Sequence, residues 1–277
     1  MKFVISAAQR EKLMSKLDSH LRADANADDS AYYPIVSLYY DNSERDCYWE
    51  KVQSLQSRRK LRVRVYGSLD GKLPPTCFME IKHKQEGRGV KRRIQLPLEQ
   101  ALRVGQGLWP EGVNLTEPDK RAVAEVHDLY SRRGFRPSLV MRYDRSAYAA
   151  RDPKSDLRIT YDTGIAYRLI NLNPVPDDQD FTPENYLHPE GTSVLEVKIT
   201  GTIPFWLSVM IAEAGCILQS HSKYSKALER SDPTLRAMLA PNWRKPLPTS
   251  PISVSGNAEL DEVAPEGRAE LVSEMSA

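Results

Sequence analysis

Two arginines in the segment LRVRVYG (61–67) have the chemistry and spacing of an anion-binding surface. Arg62 and Arg64 alternate with Leu61 and Val63, a two-residue period that predicts a β-strand with one apolar and one charged face. The planar fork of a guanidinium group suits the oxygens of a phosphate. For one strand taken alone, a solvent-exposed charged face is the simpler interpretation.

The same alternation recurs in further predicted strands. Their charged faces carry Glu80, Lys82 and Lys84; Lys91 and Arg93; Arg142, Asp144 and Arg145; Arg158; and Glu196 with Lys198. Ordinary exposed faces mix Ser, Thr, Asn, Gln and both charges, whereas these faces repeat Lys and Arg. The pattern favours an inverted barrel, with aliphatic faces packed outward against helices and charged faces lining the lumen. Crowded basic groups repel one another and lose hydration, so the predicted ligand is a polyanion such as a chain of phosphates.

Two glutamates stand within these basic faces. Glu80 and Glu196 each precede a lysine by two residues, so each shares a strand face with that lysine. They could be salt-bridge partners that hold the lysines in place. They could also bind Mg²⁺ or Mn²⁺ beside substrate phosphates, which is the ligand set that such hard cations prefer.

Other motifs carry weaker signals. Lys223 and Lys226 of SKYSK (222–226) share a face at the start of a predicted helix, where phosphate binding and simple solvation are both open. The glycines of QEGRG (85–89) lack the spacing of a P-loop and predict a turn. The five histidines have no metal-ligand spacing, and no GxSxG nucleophile motif occurs. Phosphoryl transfer does not require one.

The composition is that of a globular chain without strong net charge. Its 277 residues are 40% hydrophobic and 27% charged, with a formal charge of +2, which argues against nucleic-acid binding driven by bulk charge. An RNA-binding sheet would need aromatics on its charged faces, where the central strands offer Tyr66 and Tyr143. Three cysteines without a C-x-x-C pair indicate a reducing compartment. The longest apolar stretch (203–218) is shorter than a membrane span, so the sequence predicts a soluble, cytoplasmic protein.

The predicted elements give an α+β class dominated by antiparallel sheet. Helices are predicted over 6–22, 47–59, 118–133, 203–218 and 222–230. Strands are predicted over 32–42, 61–67, 76–84, 89–98, 137–149, 157–169 and 193–200. Residues 1–238 are predicted to form the folded domain, and the Pro- and Ser-rich residues 239–277 a disordered tail.

An ordered set of segments matches a known family. The segments are KFVIS, YPIVSLYYDN, RRKLRVRVYG, FMEIKHK, VKRRIQLPL, RYDRSAY, LRITYDT, SVLEVKI and SKYSK. Over about residues 2–230 the chain resembles the VTC-like domain, the polyphosphate polymerase domain of the vacuolar transporter chaperone complex, within the triphosphate tunnel metalloenzyme (CYTH-like) superfamily. The resemblance implies a closed tunnel of eight antiparallel strands that binds ATP, triphosphate or polyphosphate with Mn²⁺ or Mg²⁺.

The resemblance also implies site residues by position. The basic residues that would bind phosphate are Lys2, Arg62, Arg64, Lys82, Lys91, Arg93, Arg145, Arg158, Lys198, Lys223 and Lys226. Glu196 would bind the metal, with Glu80 a second candidate. Family members usually carry a further glutamate two residues before the lysine matched by Lys2, and the printed sequence begins at Met1, so it has no residue to match there.

Three functions remain open at this stage. The first is a metal-dependent phosphotransferase that moves the γ-phosphate of ATP onto a polyphosphate chain. The second is a hydrolase of tripolyphosphate or nucleoside triphosphates on the same scaffold, and the third is a polyphosphate-binding module without turnover. The sequence does not distinguish them, because they differ in what occupies the acceptor position.

Overall fold

The computed structural model describes residues 1–24, 32–67, 72–175 and 181–238. The strands are β1 Lys2–Ile5, β2 Leu21–Ala23, β3 Tyr33–Asp41, β4 Ser57–Tyr66, β5 Cys77–Gln85, β6 Arg88–Leu96, β7 Arg136–Ala150, β8 Arg158–Arg168 and β9 Ser193–Lys198. The helices are α1 Ala7–Leu17, α2 Asp46–Val52, α3 Leu98–Gly105, α4 Glu117–Arg133, α5 Phe205–Glu213, α6 Lys223–Ser231 and α7 Thr234–Ala237, with a 3-10 turn at Pro183–Asn185. The predicted disordered tail, 239–277, lies outside the described residues.

The strands form one antiparallel sheet, and the prediction of a closed eight-stranded barrel is wrong. Eight strands follow the order β1-β9-β8-β7-β3-β4-β5-β6, and a ninth, β2, pairs with β7 beside this path. Within the described ranges β1 pairs with β9 and β6 with β5, while β1 and β6 are not neighbours in the sheet. The sheet is therefore open between them. The α+β class and the antiparallel pairing agree with the prediction.

Basic side chains lie at both open edges of the sheet, and the alternating pattern alone does not determine whether these edges meet. Lys2 of β1 lies in the same cavity as Lys82 of β5 and Lys91 of β6. Because like charges repel, bringing these edges together is unfavourable in the absence of an anion. Alternation specifies which face a side chain occupies, but not whether the outer strands meet.

The strand register separates a charged face from an apolar face, as the alternation predicts. Arg62 of β4 lies opposite Glu80 of β5, and Glu80 lies opposite Arg93 of β6. On the other face, Val63 lies opposite Met79. Directly opposed residues share a face, so the basic side chains collect on one side of the sheet.

The apolar face packs against helices in two clusters. In the first, Val63 lies in the same core as Val104 of α3 and Val123 of α4. In the second, Leu195 of β9 packs with Leu17 of α1. Burying a leucine or valine side chain contributes about 1.5 to 3 kcal/mol each. These contacts hold the apolar face against the helices and leave the opposite face for charged side chains.

Local signals place several element ends as expected. Ser6 caps α1, since its hydroxyl accepts from the Gln9 amide and the Gln9 side chain accepts from the Ser6 amide. Gly134 ends α4 with φ 67°, the left-handed conformation that glycine adopts readily. In the β5–β6 hairpin Glu86 and Gly87 both have positive φ, as a type I′ turn requires.

Three predicted helices are too long. The one predicted over 203–218 spans only Phe205–Glu213, and the other two end before a strand. The helix predicted over 47–59 ends at Val52, because Ser57 begins β4 and pairs with Gln85. The helix predicted over 6–22 ends at Leu17, because Leu21 pairs with Ala150. In both cases cross-strand pairing overrides local helical periodicity.

Two features of the described residues bear on membrane insertion and disulfide formation, and the predicted compartment stays a prediction. No helix in the described ranges has both the length and the hydrophobicity needed to cross a bilayer. Cys47, Cys77 and Cys216 are all free thiols.

Candidate functional site

A cavity of about 320 Å³ opens on the charged face of the sheet. Among the described residues, twelve Lys and Arg side chains line it against two glutamates. The basic residues are Lys2, Lys51, Arg58, Lys60, Arg62, Arg64, Lys82, Lys84, Lys91, Arg145, Lys198 and Lys223. Strands from both ends of the sheet order contribute, so the sheet curls around this basic cavity.

The structure brings most of the predicted site residues together. Those that line the basic cavity are Lys2, Arg62, Arg64, Glu80, Lys82, Lys91, Arg145, Glu196, Lys198 and Lys223. Three others lie elsewhere. Arg93 stacks over the Phe78 ring at 4.6 Å, Arg158 pairs with Asp24 at 2.7 Å, and Lys226 pairs with Glu229 at 2.8 Å. Phosphate-binding roles for the whole set remain predictions.

Glu80 is the internal counter-ion of β4, β5 and β6. Its carboxylate receives Arg62 Nε at 2.7 Å and Nη2 at 2.6 Å, while Lys91 Nζ lies 2.5 Å from the other oxygen. Burial would raise the pKa of Glu80, but Arg62, Arg64 and Lys91 outweigh it and lower the pKa to about 2. The carboxylate is therefore charged and engaged through both oxygens, which matches the salt-bridge interpretation better than metal binding.

A second counter-ion, Asp162, was not identified from the sequence. Its fully buried carboxylate accepts from Arg145 Nε at 2.7 Å and Nη2 at 2.9 Å, and from Lys223 Nζ at 2.5 Å. Burial opposes ionisation, yet Lys223 and Arg145 hold the pKa of Asp162 below its ordinary value. The sequence did carry a signal for it. In the segment RITYD, Arg158, Thr160 and Asp162 stand at every second position and therefore share one strand face.

Glu196 is less engaged than the other two carboxylates. The nearest basic group in a salt bridge with it is Lys198 Nζ, 3.9 Å away, and Lys2 is its cross-strand neighbour. Burial would raise the pKa of Glu196, but Lys2, Lys198 and Lys223 lower it. Glu196 is therefore an ionised carboxylate with oxygens available to another cation.

The carboxylates of the basic cavity could hold a divalent cation only together with oxygens from a bound phosphate substrate. No cluster of three or more His, Cys, Asp or Glu side chains suited to a metal occurs in the ranges that the structure describes. Mg²⁺ is commonly held by one or two carboxylates together with substrate phosphates and water. Glu196 meets that requirement, whereas both oxygens of Glu80 are already in ion pairs.

Sequence analysis missed the outer part of β4. Arg58 and Lys60 continue the two-residue spacing of Arg62 and Arg64, and both line the basic cavity. The predicted helix over 47–59 concealed the start of this run. Extending the strand pattern by two steps would have found both residues.

Two tyrosines support the inner arginines. Tyr39 Oη accepts from Arg62 Nη1 at 3.3 Å, and Tyr143 Oη accepts from Arg64 Nη2 at 3.2 Å. Burial would raise the pKa of Tyr39, but Arg62 and Arg64 are the main causes that lower it to about 8. Both phenols face the cavity and can donate their own protons to an anion.

Helix α6 closes one side of the cavity. Its N-cap Ser222 accepts from Lys60 Nζ at 3.2 Å, and Tyr224 Oη donates to Asp41 Oδ2 at 2.6 Å. These bonds anchor the helix to β3 and β4. The anchoring directs Lys223 into the cavity, while Lys226, one turn further, pairs with Glu229.

The histidine that lines the cavity is His221. Its Nε2 lies 3.1 Å from the Nε2 of His188. Burial is the main cause that lowers the pKa of His221 to about 3, with Lys223 and His188 adding to it. The ring is therefore neutral near pH 7, so it lines the cavity as a polar, uncharged side chain.

A second cavity is larger but chemically different. It encloses about 940 Å³, and its lining includes Arg10 and Arg230 beside Glu11 and Glu190. Mixed charge does not select a polyanion, so volume is a poorer guide to the site than charge. The basic cavity combines charge-assisted donors from Arg forks and Lys ammonium groups, which together suit several phosphate oxygens at once.

One curated protein matches most of the length of this chain. Subunit 4 of the vacuolar transporter chaperone complex of Schizosaccharomyces pombe is 22% identical over 246 residues, covering 76% of this chain. The match spans 33% of that protein, so this chain corresponds to about a third of its relative.

A solved structure offers a weaker likeness. The crystal structure of a candidate adenylate cyclase from Bacillus halodurans matches 80% of this chain and 92% of its own, at 9% identity and a TM-score of 0.43. A score below 0.5 does not establish a shared fold.

A family model carries the assignment. The model described as the VTC domain matches residues 1–231, from β1 through α6, and so includes every strand that lines the basic cavity. Because the match covers far more than half of the sequence, the chain belongs to the VTC domain family.

Proposed function

We propose that this chain is a phosphotransferase of the polyphosphate polymerase type, which moves the γ-phosphate of ATP onto a polyphosphate chain in the basic cavity. The observation that carries the proposal is the lining of twelve basic side chains against two glutamates. Such a surface is stabilised when a polyanion supplies the missing negative charge. Membership of the VTC domain family supports phosphate chemistry at this site.

The inner residues would orient the substrate. Arg62, Arg64 and Arg145 are held by Glu80 and Asp162, so their guanidinium groups are positioned before any ligand arrives. Preorganised donors stabilise charge that develops on the equatorial oxygens of the transferred phosphoryl group. This is the main catalytic contribution that the chain itself would make.

The reaction needs little covalent help from the protein. An oxygen of the terminal acceptor phosphate forms a bond to the γ-phosphorus, and the bond from that phosphorus to the bridging oxygen breaks. ADP leaves with the bonding electron pair on its β-phosphate. The acceptor oxygen is already negatively charged near neutral pH, so no general base is required, in agreement with a neutral, hydrogen-bonded His221.

A divalent cation, Mn²⁺ or Mg²⁺, would be held by Glu196 together with phosphate oxygens. Bound there, such an ion would neutralise charge on the phosphates and act as a Lewis acid. Lys2 and Lys198 flank Glu196 and would position the same phosphates.

The test is product analysis after incubation of the purified protein with ATP and Mn²⁺. We expect long polyphosphate chains and ADP. ADP with free phosphate in place of chains would instead identify a hydrolase, and tight tripolyphosphate binding without turnover would identify a binding module.

Two variants sharpen this test. Glu196→Gln is expected to abolish turnover while tripolyphosphate still binds, because the substitution removes the metal ligand and leaves the basic lining. Glu117→Gln, on the exposed surface of α4 and paired with Lys120, removes one negative charge away from the cavity and serves as the matched control. Equal turnover in Glu196→Gln and the control would contradict the assigned role.

Location and partners follow from the same proposal. ATP and free thiols are both typical of the cytoplasm, so we propose that the domain acts there. The chain corresponds to about a third of its yeast relative, which is a subunit of a complex. We therefore also propose that this domain works as part of a complex of several proteins.

A further inference from the structure

The basic residues of β4 extend further than a triphosphate can reach. Arg58, Lys60, Arg62 and Arg64 lie on the cavity side at every second position. From the first to the last is about 20 Å along the strand, at about 3.3 Å per residue. A triphosphate group is shorter than this distance, so one bound beside Arg64 leaves the Arg58 end of the row to further phosphates.

Cross-strand partners change sign along this row. At the inner end, Arg62 faces Glu80. Towards the outer end, Lys60 faces Lys82 and Arg58 faces Lys84. Directly opposed like charges are destabilising. The outer end therefore retains an arrangement that the fold alone does not favour.

A third basic side chain joins the outer end from α2. Lys51 Nζ donates to Ser220 Oγ at 3.0 Å, a neutral partner, and lines the same cavity as Arg58 and Lys84. Burial, followed by the charges of Arg58 and Lys84, lowers the pKa of Lys51, and the more distant carboxylate of Glu229 opposes this shift. In the described part of the chain, no carboxylate lies within salt-bridge distance of this outer basic group, defined as Lys51, Arg58 and Lys84.

We propose that the outer basic group is a second anion subsite, which binds phosphates of a polyphosphate chain beyond the three held at the inner end. The inference rests on the proposed polyphosphate-binding function and extends it to residues outside the set that the resemblance implies. It assigns a direction: the reacting phosphates lie beside Arg64 and Arg145, and the remaining chain passes along β4 towards α2.

Linear phosphate fits the outer basic group better than nucleic acid does. Its members are two lysines and one arginine from three elements, with no aromatic side chain among them to stack on a base. An oligonucleotide therefore serves as the competing ligand in the test.

The experiment measures binding and needs no turnover. The double variant Arg58→Gln, Lys84→Gln is titrated with tripolyphosphate and with long polyphosphate at one fixed ionic strength, since charge-driven affinity depends on salt. We expect affinity for the long chain to fall at least about tenfold, because two charge-assisted hydrogen bonds are lost, and affinity for tripolyphosphate to change less than about twofold.

A matched control removes the same charge elsewhere. Lys120→Gln with Arg121→Gln, both on α4, is expected to leave both affinities within about twofold of the unmodified protein. Equal losses for the short and long ligands in the Arg58, Lys84 variant would overturn the subsite, as would no loss for either. Equally tight, equally sensitive binding of an oligonucleotide would also overturn it, in favour of a general polyanion surface.

The proposed function fails by a different result. If the unmodified protein binds neither phosphate ligand, the phosphate assignment of the whole cavity is wrong. If it binds both but makes no polymer, the polymerase proposal fails and the outer subsite stands on the binding data.

Discussion

Positive charge is compensated differently at the inner and outer ends of the basic cavity. At the inner end the chain supplies its own counter-ions: Asp162 for Arg145 and Lys223, and Glu80 for Arg62. At the outer end, basic residues face one another across the strands. The inner end is therefore fixed in geometry before ligand binds, and the outer end depends on the ligand for compensation.

The difference teaches that a basic site has two separable properties. Internal counter-ions orient the guanidinium groups but weaken their attraction for a polyanion. This arrangement suits the position of the reacting phosphates. Basic side chains without internal counter-ions attract a polyanion without fixing its position, which suits a chain that must move. Substitutions at the inner end should accordingly lower the stability of the protein, whereas those at the outer end should raise it. Inner substitutions should weaken the binding of tripolyphosphate, and outer substitutions mainly the binding of long polyphosphate.

The largest effect is expected at Asp162. Asp162→Asn leaves Arg145 and Lys223 buried together without a negative partner, so the free energy of unfolding should fall by about 3 to 5 kcal/mol. Urea denaturation at neutral pH measures it. A loss below about 1 kcal/mol would mean that Asp162 is not the counter-ion of the inner end.

Removing two inner arginines should affect both binding and stability. In Arg62→Ala, Arg64→Ala, tripolyphosphate affinity should fall at least about 100-fold, since several charge-assisted bonds are lost. Repulsion between basic groups, considered alone, predicts a neutral or stabilising change. The structure reverses that expectation: buried Glu80 keeps only Lys91, and stability should fall by about 2 kcal/mol. Normal tripolyphosphate titrations would show that the arginines do not contact the ligand.

Acid should reveal the Glu80 ion pairs. The pKa of Glu80 is about 2 in the folded chain against an ordinary 4.5, so its stabilisation is present above pH 4.5 and is lost as pH falls towards 2. Glu80→Gln lacks this dependence. The stability difference between the unmodified protein and the variant should therefore shrink over that window, in urea titrations at stepped pH. A constant difference would contradict the assignment.

The smallest effect, with opposite sign, is expected at the outer end. Arg58→Gln, Lys84→Gln removes a like-charge pair across β4 and β5, so stability should rise by about 0.5 kcal/mol. Thermal unfolding at low ionic strength detects the gain, and added salt should reduce it. A destabilised variant would place hidden counter-ions at the outer end and remove its distinction from the inner end.

Sequence reasoning succeeded where a local rule applied. The two-residue alternation placed Arg62, Arg64 and Glu80 on one face, and the structure has them there. It failed where two local rules competed, because helical periodicity over 47–59 hid Arg58. It also missed Asp162, although Arg158, Thr160 and Asp162 alternate along one face of β8, and it wrongly predicted a closed barrel.

By itself, the sequence determined which side chains could share a charged face, because strand geometry alternates side chains whatever the partner strand. Tertiary structure alone decided which charges meet. Ion pairs such as Arg145 with Asp162, and unpaired neighbours such as Arg58 with Lys84, depend on strand register and on the placement of α2 and α6. Coulomb energy depends on distance and burial, and neither can be read from the order of residues along the chain.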